Sequence, residues 1–206
     1  GYWLASTTGE IYAFGDAETR ASKAGRPHDT PFLRISTTPT GKGYWLVASD
    51  GGIFAFGDAV FHGSTGSIRL SKPIVGMTPT PSGKGYWLVA SDGGIFAFGD
   101  ATFLGSTGST KLVRPIVGMA TSRNGYWLVA SDGGIFAFGD APFLGSTGHL
   151  QLAQPIVGMT KTRSGNGYWM VASDGGIFAF GDAEFAGSTG GIRLAQPIVG
   201  MAVPAL

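Results

Sequence analysis

Residues 85–101 read Gly-Tyr-Trp-Leu-Val-Ala-Ser-Asp-Gly-Gly-Ile-Phe-Ala-Phe-Gly-Asp-Ala. The same run recurs almost letter for letter from Gly43, Gly125 and Gly167, and in a more divergent form from Gly1. The tryptophans of the five copies are separated by 42, 42, 40 and 42 residues. A period of this size is typical of a repeat architecture, in which each repeat buries its apolar faces against its neighbours.

The composition of the chain narrows the function classes. The 206 residues include 14 Lys and Arg and 13 Asp and Glu, which gives a net charge of +1. A chain with so little net charge does not have the excess of basic residues that is typical of proteins that bind nucleic acid or an anionic membrane. The chain has no cysteine, which excludes a disulfide framework and a thiolate metal site. Neither a signal peptide nor an apolar run of membrane-spanning length is evident. The sequence starts in mid-repeat, which is compatible with a piece of a longer protein whose targeting segment is missing.

The repeat that starts at residue 73 predicts four short strands. Residues 73–78 are apolar and β-branched, which is typical of a buried inner strand. A second strand at 86–91 is apolar on both faces, so we expect neighbours to cover both. The Asp-Gly pair at 92–93 marks a hairpin into a third strand at 95–98. A more polar outer strand is predicted at 103–108.

Four antiparallel strands in about 42 residues match one propeller blade. No segment keeps the 3.6-residue apolar period of a helix. We therefore predict an all-β fold, a five-bladed β-propeller with four antiparallel strands per blade. The sequence opens on a second strand and ends on an inner strand at 197–202. We expect this C-terminal strand to pair with the N-terminal blade at 2–6, which would close the ring and leave no open edge.

The domain prediction follows from the same count. We expect a single β-propeller domain over residues 1–206. Its predicted blades are approximately 197–206 plus 1–30, 31–72, 73–114, 115–154 and 155–196.

The first repeat and its neighbour depart from the pattern. Residues 19–30 replace the outer strand and its linker, so we expect the outer strand there to be the least regular. The loop between Trp127 and its inner strand is two residues shorter than elsewhere. Arg34 stands where the other inner strands have a glycine that lets them crowd the axis. Its side chain then either extends into a central channel or lies on the surface.

The run Tyr-Trp-Leu-Val-Ala-Ser-Asp-Gly-Gly-Ile-Phe-Ala-Phe-Gly-Asp resembles the repeat of PQQ-type and related β-propellers. The whole chain looks like the Gly-Tyr-Trp-Leu-Val-Ala-Ser-Asp-Gly-Gly-Ile-Phe arrays of secreted actinobacterial proteins, which often accompany cell-wall hydrolase or esterase domains. Five blades of this size also resemble the tachylectin type of propeller, a lectin with one sugar site per repeat. PQQ enzymes use larger propellers, a cysteine pair and a metal site, so the resemblance does not carry their chemistry to this chain.

One aspartate per hairpin is a candidate ligand for a bound molecule. Asp50, Asp92, Asp132 and Asp174 occupy the same repeat position, and Thr8 stands there in the first repeat. One interpretation is that they only form the hairpin turn. The other is that each carboxylate lies on one rim beside the Ser-Thr pair of a neighbouring blade. Those pairs are Ser64 and Thr65, Ser106 and Thr107, Ser146 and Thr147, and Ser188 and Thr189. Such a shallow groove suits hydroxyl-rich ligands such as sugars, with up to four sites.

The other recurrent side chains are expected to stabilise the fold. A second aspartate follows each third strand, where it is expected to accept backbone N–H groups in the turn: Asp16, Asp58, Asp100, Asp140 and Asp182. The tryptophans are expected in the core. The exposed aromatic of each repeat is predicted to be Phe61, Phe103, Phe143 or Phe185. The three histidines occupy unrelated repeat positions, so neither a metal site nor a nucleophile–base pair is predicted.

These patterns predict a non-enzymatic binding module without cofactor or metal. It would recognise glycans of a cell wall or cell surface through repeated equivalent rim sites, each weak and strengthened by repetition. The alternative is a structural or protein–protein interaction scaffold appended to a cell-wall-associated protein. An enzyme is a third hypothesis, for which no acid–base pair or nucleophile can be placed. We expect a secreted or cell-surface monomer whose partner is a glycan, a cell-wall polymer or a protein, without nucleic-acid binding or membrane insertion.

Overall fold

The computed structural model describes residues 1–18 and 30–203. This part of the chain contains fourteen β-strands and no helix, and therefore no helix that could span a membrane. The strands are β1 (Tyr2–Ala5), β2 (Ile11–Phe14), β3 (Phe32–Thr37), β4 (Gly43–Ala48), β5 (Ile53–Gly57), β6 (Ile74–Pro79), β7 (Gly85–Ala90), β8 (Ile95–Gly99), β9 (Ile116–Thr121), β10 (Gly125–Ala130), β11 (Ile135–Gly139), β12 (Ile156–Lys161), β13 (Gly167–Ala172) and β14 (Ile177–Gly181).

The strands form five antiparallel sheets, one from each copy of the repeat. β1 and β2 form a two-stranded sheet, and the other four sheets are three-stranded meanders in chain order, β3–β5, β6–β8, β9–β11 and β12–β14. The Gly-Tyr-Trp run supplies the middle strand of each three-stranded sheet. One small antiparallel sheet per repeat confirms the all-β, five-bladed propeller predicted from the repeat.

The middle strands are buried, and β4 packs against the sheet of the first repeat on one face and against β7 on the other. All six residues of β4, β7 and β10 are buried. Trp45, Trp87 and Trp127 lie in the core as predicted, whereas Trp3 and Trp169 are half-buried. Two apolar faces on a strand of six residues are therefore the sequence signal of a blade packed on both sides.

The described residues divide into two compact units. The first contains residues 1–90 and 95–103, with the sheets of the first three repeats. One of its apolar clusters packs Trp45 and Val47 against Tyr86 and Leu88. The second unit contains 91–94 and the residues from 104 onward, and its core includes Trp127 and the later strand β13. The organisation as a single domain stays a prediction.

The predicted outer strand is wrong in every repeat that the structure describes. Residues 59–66, and the equivalent residues of the next three repeats, contain no strand. Side chains take the place of a sheet partner there. The indole nitrogen of Trp45 donates to the carbonyl of Val60 at 2.9 Å, and the hydroxyl of Tyr86 donates to the carbonyl of Gly63 at 2.6 Å. Because these backbone groups are already satisfied, the segment stays irregular and each sheet stops at its third strand.

The closing strand predicted at 197–202 is also not formed. Residues 197–203 have no strand, and β1 pairs with β2 alone within the described part of the chain. Val199 is 79% exposed and Tyr2 is 57% exposed. Each of the other inner strands is joined by a short loop to the Gly-Tyr-Trp run that pairs with it. Within residues 1–18 and 30–203, the C-terminal segment has no such hairpin partner.

The positions that depart from the repeat pattern were the subject of two predictions, and the structure describes only part of what they concern. The predicted irregular outer strand of the first repeat, at 19–30, lies almost wholly outside the described residues. Arg34 is half-buried in β3, where it pairs with Val47 and lines a hollow of about 270 Å³ together with residues 5–7 of β1 and its turn. Whether it extends into a central channel stays a prediction.

Candidate functional site

In the four repeats that have it, the first aspartate holds the hairpin turn. The Oδ1 atom of Asp132 accepts the N–H of Gly134 at 3.0 Å. The intervening Gly133 has a φ of +79°, a left-handed conformation that favours glycine. The same bond forms in the other repeats, at 2.8 Å for Asp50, 2.9 Å for Asp92 and 2.9 Å for Asp174. In these four repeats the Oδ1 atom of the aspartate therefore accepts an N–H of the turn, as the hairpin interpretation requires. Whether the aspartates also bind a ligand stays a prediction.

The threonine of each predicted Ser-Thr pair forms hydrogen bonds to the hairpin of its own repeat. The hydroxyl of Thr147 donates to the main-chain carbonyl of Asp132 at 3.3 Å, and its N–H donates to the carbonyl of Gly133. Thr147 is only 2% exposed. The equivalent bonds join Thr65 to Asp50, Thr107 to Asp92 and Thr189 to Asp174. The prediction that the pair lies beside the aspartate of a neighbouring blade is therefore wrong, since the contact is made within one repeat.

The serines of those pairs remain closer to solvent than the threonines. Ser64, Ser106 and Ser146 are half-buried, and Ser188 is exposed. The hydroxyl of Ser106 accepts the N–H of Gly108 at 3.4 Å. Their role in ligand binding stays a prediction.

The hairpin also forms a main-chain link between consecutive sheets. Ser131 precedes Asp132, and its N–H donates to the carbonyl of Pro115 in its own repeat at 2.9 Å. Its carbonyl accepts the N–H of Ile156, which begins β12 in the next repeat, at 2.8 Å. Ser49 and Ser173 make the equivalent pairs of bonds. This link fixes each aspartate next to the linker that enters the following inner strand.

A groove of about 520 Å³ opens beside Asp132. Ser131 and Asp132 line it from the hairpin, and Arg114 lines it from the position before Pro115. The remaining lining residues are 150–155, a linker that includes Leu150, Gln151 and Gln154. We name this the Asp132 groove.

An equivalent groove of about 320 Å³ opens one repeat later, beside Asp174. Its lining residues are Ser173, Asp174, Gln154 and the linker 192–197. Each occupies the same repeat position as its counterpart in the Asp132 groove. We name this the Asp174 groove. Two consecutive repeats therefore build the same concave feature from the same positions.

Each groove contains charges of both signs that are not paired with each other. The Asp132 groove has Arg114, and the Asp174 groove has Arg193 in addition to its carboxylate. Among the described residues, no ion pair joins either arginine to an aspartate; the ion pair that is present joins the N-terminal ammonium to Asp16. Across the Asp174 groove, the hydroxyl of Ser173 lies 3.5 Å from the Oε1 atom of Gln154. Both arginines are exposed and available to a ligand.

Sequence reasoning identified the aspartates of these grooves and missed the linker and the residue before each proline. A signal was present. The six-residue segments that end in proline, 68–73, 110–115, 150–155 and 192–197, are polar or charged at their second and fifth positions in every copy.

The second aspartate of each repeat lies at the opposite end of its sheet. Asp100 accepts the hydroxyls of Thr80 at 2.8 Å and Ser82 at 2.5 Å. The Ser82 hydroxyl, more than that of Thr80, lowers the pKa of Asp100, because both bonds favour the ionised carboxylate. The hydroxyls of Thr40 and Ser164 lower the pKa of Asp58 and Asp182 in the same way. The N–H groups of Asp100 and Asp182 donate to the carbonyls of Lys84 and Asn166. The predicted hydrogen bonds from turn N–H groups to these carboxylates stay a prediction.

An exposed phenylalanine is a further repeated feature. Phe61, Phe103, Phe143 and Phe185 are between 55% and 63% exposed, which confirms the predicted exposed aromatics. No group of three or more His, Cys, Asp or Glu side chains within residues 1–18 and 30–203 could hold a metal ion.

No protein-family model matches the chain, and no curated protein matches it. Among solved structures, it is similar to the crystal structure of the C-terminal WD40 domain of Sif2, with a TM-score of 0.51 and 16% sequence identity. The match covers 77% of this chain and 48% of that one, so the chain spans about half the length of the solved domain. This likeness supports a repeat propeller fold. The narrower resemblance to actinobacterial arrays and to PQQ-type and tachylectin-type propellers stays an expectation.

Proposed function

We propose that the chain is a non-enzymatic binding module that recognises glycans through the Asp132 groove and the Asp174 groove. The observation that carries the proposal is the repetition of one polar groove at equivalent positions of two consecutive repeats. Each groove combines a carboxylate, a guanidinium, two carboxamides and a serine.

The groove chemistry suits a sugar. Hydroxyl groups can donate to the second oxygen of Asp132 and accept from the carboxamides of Gln151 and Gln154. The apolar face of a sugar ring can pack on Leu150, which is 49% exposed. Volumes of about 320 and 520 Å³ lie in the lower part of the range for small-molecule sites, where one or two sugar rings fit.

Repetition compensates for shallow sites. One open groove gives weak affinity, because much of the ligand stays in water. Two grooves on one chain raise the effective concentration of a polymeric ligand at the second site once the first is filled. The partner that benefits most is a repetitive glycan or cell-wall polymer, which accords with a secreted or cell-surface location. The chain is proposed to act as a monomer.

Titration with soluble oligosaccharides released from bacterial cell wall tests the proposal. We expect saturable binding at millimolar ligand by isothermal titration calorimetry, with amide chemical-shift changes centred on Ser131, Asp132 and Gln154. The substitutions Asp132→Asn and Asp174→Asn keep the Oδ1 acceptor of the turn and should weaken binding without unfolding the chain. Asp140→Asn, at the opposite end of its sheet, is the matched control. An absence of heat and shift changes up to millimolar ligand would reject the proposal.

A second candidate is a protein-interaction scaffold, and the exposed phenylalanines favour it. Phe143 and Phe185 are 63% and 62% exposed, and aromatic side chains are enriched at the centres of protein interfaces. The variant Phe143→Ser with Phe185→Ser distinguishes the two candidates. Loss of a protein partner with glycan binding unchanged would favour the scaffold, whereas loss of cell-wall binding in the Asp132→Asn and Asp174→Asn variant would favour the glycan module.

A further inference from the structure

The two grooves contain more positive charge than recognition of a neutral sugar requires. Arg114 lines the Asp132 groove and Arg193 lines the Asp174 groove, and within the described chain neither forms an ion pair with the aspartate beside it. We propose that these grooves select acidic sugars, that is, saccharides that carry a carboxylate. The guanidinium binds the carboxylate of the ligand, and the aspartate accepts its hydroxyl groups. This inference rests on the proposed glycan-binding function and names its ligand class.

The fold does not require an arginine at either position. The position before the inner-strand proline is Arg114 in one groove and Gln154 in the next. The second linker position is Gln151 in the first groove and Arg193 in the second. Each position therefore accepts either side chain, and the backbone link at Ser131 uses main-chain atoms only. What the two grooves share is one guanidinium each, placed at different points of the same lining.

The linker after the hairpin of Asp50 follows the same pattern. Residues 68–73 have Arg69 at the second position and Lys72 at the fifth. These are the positions that line the two grooves of the later repeats. In the sequence, arginine or lysine thus recurs at these linker positions, although the residue that supplies the charge changes.

An unpaired guanidinium distinguishes acidic from neutral sugars. Arginine presents donors in a planar fork that matches a carboxylate with two parallel hydrogen bonds, and such charge-assisted bonds are about twice as strong as neutral ones. A neutral sugar offers only hydroxyl oxygens to the same group. The difference between charged and neutral hydrogen bonds corresponds to a preference of about five- to tenfold. The aspartate keeps its negative charge when it accepts ligand hydroxyls, so the preference depends on direct pairing of the ligand carboxylate with the guanidinium.

Methyl β-glucuronide and methyl β-glucoside form a matched pair of probes, since they share a ring and differ at the carboxylate. We expect the glucuronide to bind about five to ten times more tightly at low salt by NMR titration. The preference should decline as sodium chloride is added, because salt screens exposed charges. Arg114→Gln should remove it from the Asp132 groove, and Arg193→Gln from the Asp174 groove. Arg163→Gln, in a loop at the other end of the sheet, makes the same charge change and should leave it intact.

The outcomes separate the two proposals. If both probes bind equally, or if the preference survives in the Arg114→Gln and Arg193→Gln double variant, the acidic-sugar inference is overturned while glycan binding stands. If neither probe nor any cell-wall oligosaccharide binds, the proposed function itself fails. Tighter binding of an acetylated tripeptide with a free carboxylate than of the glucuronide would assign the grooves to a peptide terminus and overturn the inference.

Discussion

The hydroxyl of Tyr86 donates a hydrogen bond of 2.6 Å to the carbonyl of Gly63, 23 residues earlier in the chain. The same oxygen accepts the N–H of His62 at 3.1 Å. Tyr86 lies in β7, and the two backbone groups belong to the segment that leaves the preceding sheet. One phenol therefore satisfies two backbone groups of the neighbouring repeat. Tyr126 and Tyr168 repeat the bond with Gly105 and Gly145.

Replacing this phenol should destabilise the fold. Tyr86→Phe leaves a half-buried N–H and carbonyl without their partner, so we expect the free energy of unfolding to fall by about 1–3 kcal/mol. Urea denaturation followed by tryptophan fluorescence measures the change. Tyr2→Phe is the matched control, because Tyr2 is 57% exposed. A loss of equal size in both variants would contradict the proposed role of the Tyr86 hydroxyl.

Burial of these phenols should also make the free energy of unfolding depend on pH in the alkaline range. Burial raises the pKa of Tyr168 to about 12, above the ordinary value of 10.0. The protonated phenol is thus favoured in the folded state, and its contribution is fully present below pH 10 and is lost as the pH rises towards 12. We expect a decline of the unfolding free energy over this interval that is smaller in Tyr168→Phe. An identical decline in both proteins would show that Tyr168 does not control it.

The hairpin glycine should not tolerate a side chain. Gly133 has a φ of +79°, and a Cβ atom there would collide with the hydroxyl of Thr147. We expect Gly133→Ala to lower the free energy of unfolding by about 2–4 kcal/mol, from backbone strain and displacement of the threonine. Gly158→Ala is the control, since a Cβ atom at Gly158 meets nothing within 4 Å. Equal midpoints of the two variants in thermal denaturation would refute the expectation.

Neighbouring hydroxyl groups should lower the pKa of Asp58, Asp100 and Asp182. The pKa of Asp100 lies below its usual 3.8, with the Ser82 hydroxyl as the largest cause. Ser82→Ala should therefore raise the pKa of Asp100 towards that value, as followed by carboxyl-carbon NMR. Because the folded pKa is the lower one, the associated stability is present above pH 3.8 and is lost as the pH falls through the folded pKa. Ser71→Ala, in the linker before β6, should leave the titration of Asp100 unchanged.

His62 is a position where substitution should improve the fold. Its Nε2 atom is buried without a hydrogen-bond partner, and its ring lies 5.7 Å from that of Tyr86. Leu104 and Leu144 occupy the same repeat position, and Leu144 packs against the core. We expect His62→Leu to raise the free energy of unfolding by about 1 kcal/mol, because it removes an unsatisfied polar atom. The reciprocal Leu104→His should lower it, and a destabilising His62→Leu would argue against this explanation.

The sequence predicted the sheets because their signals are local. The Asp-Gly pair of each hairpin and the two apolar faces of the Gly-Tyr-Trp strand indicate strands and their pairing within one repeat. The outer strand was predicted from the same kind of signal and does not form. The groups that satisfy its backbone, Trp45 within the repeat and Tyr86 of the next, lie far along the chain, and local propensity contains no information about them.

The candidate grooves were predicted only in part for a similar reason. Asp132 stands out in the sequence because it sits in a hairpin that recurs. The residues that face it come from two other places, Arg114 before the hairpin and residues 150–155 after it. The threonine of the Ser-Thr pair lies 15 residues after its aspartate in each of the four repeats that have both. Spacing alone could therefore not tell a contact within a repeat from a contact with the next.

The bonds of Ser131 to Pro115 and Ile156 have an evolutionary consequence. They join consecutive sheets through peptide groups, which every residue except proline supplies in full, so the join is indifferent to side-chain identity. A duplicated copy of the repeat can therefore dock beside its parent at once and acquire new linker residues afterwards without penalty to assembly. Such a chain can diversify what it recognises one module at a time, while the scaffold that presents each module stays the same.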